Sequence, residues 1–272
     1  MAGSLQSEVC LSFEEREGRT VLSRREAGGL CHVGKGYWDG KVLRLHVVNP
    51  TAGMFAGDDL GVRVEVEERA QVSLVTPSAT RFHAMKGGKA ALRQDLRVGR
   101  EAFLEFLPEW TIPQAGSEVR QETRIEVGEG GRLIFGEMLA PGRVAHGESH
   151  GFRRFENQFE LIVGKRLVAL ERMDLRPEKG GWPLAVEGWE TCFYGGVWLV
   201  GCDSELVETC EEWENEEFKV GFSEVEEGVV VVRMLAARSL FVRKGLAEVR
   251  EILGRADSRL FRSSVSMQVP NR

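Results

Sequence analysis

Leu60-Gly-Val-Arg-Val-Glu-Val66 places Val62, Val64 and Val66 on one side of an extended chain, with Arg63 and Glu65 on the other. Alternation of period two marks a strand with one buried face and one wet face. The same rhythm returns in Lys41–Val48, where Leu43, Leu45 and Val47 alternate with Arg44 and His46. Segments 71–76, 91–98, 101–107, 119–127 and 132–139 repeat it. Between them lie EGR at 17–19, GKG at 34–36, AGDD at 56–59, KGG at 86–88 and GEGG at 128–131. Glycine supplies the positive φ that tight turns need, and Asp bonds its own backbone. Short strands at this spacing predict a mainly β fold of stacked antiparallel sheets, an irregular β-sandwich or β-solenoid-like body. No fixed repeat period is visible, which argues against a regular repeat protein.

The last third reads differently. Segment 196–201 (GVWLVG) and the β-branched segment 228–236 predict buried strands. Segment 204–216 opens on Ser204 as an N-cap and carries Leu206, Val207, Cys210 and Trp213 at helical spacing. Segment 239–256 places Leu240, Val242, Leu246, Val249, Ile252 and Leu253 on one helical face. Gly245 inside it costs ~1 kcal/mol relative to alanine. Two helices are therefore expected in the C-terminal third. No low-complexity linker interrupts the chain, so residues 1–272 read as a single domain.

Composition narrows the function. The 272 residues are 42% hydrophobic and 29% charged, ordinary for a soluble globular protein. No apolar run approaches the roughly 20 residues that span a bilayer. The N-terminus lacks a basic segment followed by an apolar block, so a cytoplasmic protein is expected, with no membrane partner. A net charge of −6 argues against nucleic acid as a partner. Cys10, Cys31, Cys192, Cys202 and Cys210 form no CxxC and read as free thiols in a reducing compartment.

Catalytic patterns are thin. Gly29 to Gly36 (GLCHVGKG) nearly spells a P-loop, but Gly36 stands where Ser or Thr must hold magnesium, and no helix pattern follows. HExxH and kinase signatures are absent from the sequence. Asp58 and Asp59 follow Gly57 in a turn. If 142–150 is extended, His146, Glu148 and His150 share one face and form a weak nickel or zinc candidate. The stretch Phe103–Pro113 is core and corner or a partner-binding apolar surface.

Five stretches together carry a resemblance. Asn49–Asp58 (NPTAGMFAGD) resembles the proline- and glycine-rich turn of the UreD (UreH) urease accessory family. Val75–His83 (VTPSATRFH) is similar to its next strand, with Arg81 and His83 where lysine and tyrosine are usual. Segment 91–117 resembles its LEWLP segment, with Phe106 in place of tryptophan. Glu137 with Gly142–Glu148 (GRVAHGE) matches its E…GR.A.GE motif, and 231–253 resembles its closing strand and helix. The resemblance implies a mostly β scaffold that is not an enzyme. It implies binding to the helical accessory protein UreF, through it to the GTPase UreG, and docking on apo-urease. Nickel then passes through an internal water-filled passage during metallocentre assembly. Asp58, Thr76, His83 and Glu148 become passage candidates, with His146 and His150 as weak metal ligands. The cargo Ni²⁺ is transient, and no tightly bound cofactor is expected. Weak oxygen ligands suit passage, because a tight site would trap the ion. Two rival readings are a metal-dependent hydrolase using His146, Glu148, His150 and Asp58, and a ligand-binding β module presenting aromatics from tryptophans 38, 110, 182, 189, 198 and 213.

Overall fold

A computed structural model describes residues 4–179, 186–201 and 214–256. The strands are β1 (Gln6–Arg16), β2 (Arg19–Ala27), β3 (His32–Val33), β4 (Tyr37–Asp39), β5 (Val42–Val48) and β6 (Asp59–Val66). There follow β7 (Gln71–Thr76), β8 (Thr80–Phe82), β9 (Ala90–Val98), β10 (Phe103–Pro108), β11 (Thr111–Pro113) and β12 (Glu118–Val127). The last are β13 (Arg132–Leu139), β14 (Arg154–Val163), β15 (Arg166–Leu175), β16 (Phe193–Val200), β17 (Phe218–Glu226) and β18 (Val229–Ala236), before helix α1 (Ser239–Ala256). One sheet runs β15-β14-β12-β9-β6-β1-β2, and the other β17-β18-β16-β13-β10-β7-β5-β3.

The fold is mainly β and solenoid-like, with a parallel middle. β6 pairs in parallel with β1 and β9, β12 with β9 and β14, and β10 with β7 and β13. Antiparallel pairs, which the turns predict throughout, are confined to the flanks, such as β1–β2, β14–β15 and β13–β16. The physical reason lies in the corners. After β6 the chain turns into β7 of the opposite sheet, and the same step joins β9 to β10 and β12 to β13. A short turn therefore switches sheets instead of reversing direction within one, with Arg69 at φ 61° in the first corner and Gly130 at φ 64° in the third, and each circuit lays down strands in the same direction. The corners stack: Gly99 N–H donates to Val66 O (2.7 Å), Gly128 N–H to Val98 O (2.7 Å), and Glu101 N–H to Glu129 O (3.1 Å).

The circuits are unequal. Asp59 lies opposite Ala91, which lies opposite Arg120, which lies opposite Glu156. These steps of 32, 29 and 36 residues leave no period to detect in the sequence.

Val62, Val64, Leu96, Ile125, Phe159 and Leu161 of the first sheet pack on Leu74, Phe106, Phe135 and Trp198 of the second. Behind the second sheet, Val242, Val249 and Leu253 of α1 cover Phe103, Ile134, Val197, Leu199 and Val232. Gly245 is explained by proximity: a Cβ there would sit 2.7 Å from Met234 Sδ. Arg250 of α1 pairs with Glu105, which is 2% exposed and also accepts from Ser73 Oγ. Phe103–Pro113 is largely core. Leu104, Phe106 and Trp110 are buried and Leu107 and Ile112 are partly so, while Val242, Val249 and Leu253 of α1 are covered and Leu240 is exposed. Among the described residues α1 is the single α-helix, and the other expected helix, 204–216, falls largely outside them.

Candidate functional site

At one end of the body the loops between circuits stack, and the expected site residues divide between that end and the interior. Gly57 N–H donates to Lys89 O (2.9 Å), Met85 N–H to Gly116 O (3.1 Å), and Gly116 N–H to Gly151 O (2.8 Å). Side chains staple this stack. Asp58 is buried, its Oδ1 accepting from Leu5 N–H (2.9 Å) and its Oδ2 from Phe55 N–H (2.8 Å). The His83 ring stacks on Phe55 with centroids 4.5 Å apart, and its Nε2 lies 3.0 Å from Ala52 O. Glu148 accepts Arg143 Nε (2.9 Å) and Nη2 (2.6 Å) on Oε2, and the Ala115 N–H on Oε1. Burial works against the Glu148 carboxylate, but Arg143 and the Ala115 amide outweigh it and hold the carboxyl below its ordinary range.

The segment 142–150 is not extended. Val144–His146 forms a 3₁₀ turn closed by Gly147 at φ 72°, and His150 has φ 55°. The alternation that would put His146, Glu148 and His150 on one strand face is therefore lost. His146 is exposed, while His150 is half-buried, with Ser149 Oγ 3.0 Å from its Nδ1. Burial pushes the His150 imidazole below its usual range. Among the described residues no three His, Cys, Asp or Glu side chains gather where a metal ion could sit.

Between the sheets lies a cavity of about 60 Å³ lined in part by Cys31, Asn49, Thr76, Gln94, Gln121 and Glu137. That volume admits a few waters at roughly 15 Å³ each. Of the expected residues, only Thr76 borders it, and its Oγ1 accepts from Glu109 N–H (2.8 Å). Deeper in the same gap, Glu137 bridges the two sheets. Its Oε1 accepts from Tyr194 O–H and its Oε2 from Asn157 Nδ2, each at 3.1 Å. The Arg233 guanidinium approaches to 4.0 Å without forming a hydrogen bond to it. Arg233 is instead paired with Glu171 and lies over the Trp198 ring, 5.2 Å from its centroid. Burial pushes the Glu137 carboxyl above its usual range despite Arg233, and pushes the Tyr194 hydroxyl well above its own, so Tyr194 donates.

Adjacent glycines create the room. Glu137 on β13, Gly196 on β16 and Arg233 on β18 form one row across the sheet. A Cβ on Gly196 would lie 2.6 Å from Arg233 Nη1 and 2.8 Å from the Tyr194 hydroxyl. Gly195 faces the other way, and a Cβ there would meet Val242 Cγ1 of α1 at 2.6 Å. One glycine admits the helix and the next admits the guanidinium.

The seam is under-satisfied. Gln121 Oε1, Asn157 Oδ1, Trp198 Nε1 and Arg233 Nη1 are buried and find no hydrogen-bond partner. Unpaired buried polar atoms cost free energy unless water or a ligand meets them. The sequence carried a signal for this polar interior: Gln94 and Gln121 occupy inward positions of alternating strands that also place Leu92, Leu96, Val119 and Ile125 inward.

The UreD urease accessory protein family matches residues 6–265. The chain belongs to this family. It is 33% identical over 254 residues to the urease accessory protein UreD of Opitutus terrae, covering 89% of this chain and 92% of that protein. It is 30% identical over 260 residues to UreD of Dechloromonas aromatica, covering 92% and 89%. With UreD of Deinococcus radiodurans it shares 34% identity over 193 residues, 70% of this chain and 69% of that protein. These UreD relatives are named as accessory proteins, not as enzymes. Among the described residues the tryptophans do not form one aromatic face: Trp110 and Trp198 are buried and Trp38 is exposed, whereas Trp182 and Trp213 lie outside the described residues. No described helix is long and apolar enough to cross a membrane.

Proposed function

We propose that this UreD-family chain is a non-catalytic cytoplasmic scaffold in urease maturation. It binds a UreF-like helical protein, through it a UreG-like GTPase, and docks on apo-urease while nickel passes through its interior. The observation that supports this reading most is the polar seam around Glu137. One carboxylate and the amide oxygens of Gln121 and Asn157 offer a divalent cation hard, exchangeable ligands. With no His or Cys cage among the described residues, such ligands suit transit. The loop-end residues Asp58, His83 and Glu148 have a different part in this reading. They hold the stacked turns that frame the seam, and Thr76 lines the cavity itself.

The test is reconstituted activation of apo-urease with purified accessory proteins. Glu137→Gln should fold, keep the UreF-like and UreG-like partners on size-exclusion chromatography, and activate at least tenfold less urease. Full activation by this variant would overturn nickel passage through the seam, and failure of the wild-type chain to form the complex would overturn the scaffold role.

A further inference from the structure

Glu137 stands within reach of two cations: the arriving metal ion and the chain's own Arg233. Arg233 lies in the same row across the second sheet, with only Gly196 between them. Its guanidinium is divided. One nitrogen is held by Glu171 of β15, while Nη1 stops 4.0 Å from Glu137 and makes no hydrogen bond. The ring of Trp198 supports its face from 5.2 Å and that of Tyr194 from 5.9 Å. The charged groups facing Arg233 are therefore Glu137 and Glu171, with Tyr194 kept neutral by burial. An ordinary buried ion pair would close to hydrogen-bond distance and satisfy both partners. This one is held short of contact.

We propose that Arg233 is a tethered counter-cation that keeps the affinity of the Glu137 seam for divalent metal low. The inference rests on the nickel-passage reading and adds its regulation. With the guanidinium nearby, Glu137 stays partly neutralised while the seam is empty. A divalent ion entering the seam meets repulsion from Arg233, which is strengthened by the low interior dielectric and eases as the guanidinium moves away. The guanidinium can lean toward Glu171 when the ion arrives and return when it leaves, so the ion is released instead of trapped. Arg233 is a positioning residue here: it acts through Glu137 and does not ligate the metal.

The experiment is calorimetric titration of the isolated full-length protein with Ni²⁺, joined to stopped-flow release into a chelator. Arg233→Gln should bind Ni²⁺ at least tenfold more tightly than wild type and release it correspondingly more slowly. Arg233→Lys, which keeps the charge, should stay within about threefold of wild type by the same Coulomb argument. Glu171→Gln should have the opposite sign, because the freed guanidinium closes on Glu137 and weakens Ni²⁺ binding. Should Arg233→Gln fail to fold, the Glu171→Gln shift alone decides. Unchanged or weaker Ni²⁺ affinity in folded Arg233→Gln, or tighter affinity in Glu171→Gln, overturns the proposal. The two readings fail separately. Undisturbed urease activation by Glu137→Gln removes the passage, whereas lost activation there with unchanged affinity in Arg233→Gln removes only the counter-cation.

Discussion

Glu148 and Glu137 lie on either side of one turn and occupy opposite electrostatic settings. At the loop end, Glu148 has a guanidinium and a backbone amide on its oxygens, and its carboxyl is held below the ordinary range. In the seam, Glu137 has a phenol and an amide, a cation kept at 4.0 Å, and a carboxyl pushed above that range. Partners that fully satisfy a carboxylate turn it into a brace. Partners that leave it short of charge make it a costly feature, and the proposed nickel passage supplies a cation that would use it. The sequence resemblance rests on both residues, so resemblance alone does not separate the two roles.

The comparison breaks most easily at Asp58, which shares the loop end with Glu148. Asp58→Ala strips the acceptor from two backbone N–H groups and should cost about 2–3 kcal/mol. At ~2–4 °C per kcal/mol for a chain of this size, the melting temperature should fall by ~5 °C or more. An unchanged melting temperature would mean that the loop end is not braced.

Glu148→Gln should cost about 1 kcal/mol near neutral pH. Its pH dependence has a definite sign. The folded carboxyl lies below its unfolded value of 4.5, so its stabilisation is complete above pH 4.5 and disappears as pH falls through the folded value. Urea midpoints of wild type and variant should therefore converge in acid. A gap as wide in acid as at neutral pH would remove the charge from the explanation.

Glu137→Gln should shift stability the other way. The folded carboxyl lies above its unfolded value of 4.5, so ionised Glu137 destabilises the fold once pH exceeds the folded value. Asn157 can turn its amide to suit the new donor, because its own Oδ1 is unpaired. The variant should melt equal to or above wild type at neutral pH, by up to ~1 kcal/mol, with the gain shrinking in acid. A lower melting temperature at neutral pH would make Glu137 a brace as well.

The smallest effect belongs to the wet face of the first sheet. Arg93 pairs with Asp59 at 2.8 Å, but its side chain is 57% exposed. Arg93→Ala should change stability by less than ~0.5 kcal/mol. A larger loss in thermal melts would show that this sheet face contributes to the fold well beyond its exposed ion pairs.

Much of this was legible in sequence. Val62, Val64 and Val66 announce β6, and the same alternation gives β5, β7, β9, β10, β12 and β13 within a residue or two. The pairing direction was not legible, because GEGG at 128–131 suits a hairpin or a corner between sheets equally well, and unequal circuits hide the coil. Asp58 and Glu148 stood out through motifs, which reveal where a residue type is required but not what it touches. The seam joins Glu137, Asn157, Tyr194 and Arg233 from four strands whose meeting depends on long-range pairing. Gln94 and Gln121 at inward strand positions were its local trace.

Ni²⁺ titration of the isolated protein, run side by side on wild type, Glu137→Gln and Glu148→Gln, separates an ion path through the seam from one at the loop end. The account predicts weak binding of Ni²⁺ that Glu137→Gln abolishes and Glu148→Gln leaves within about twofold, since Glu148 is already occupied by Arg143 and Ala115. Binding that survives Glu137→Gln and disappears with Glu148→Gln would contradict it, and would move the ion's path from the seam to the loop end.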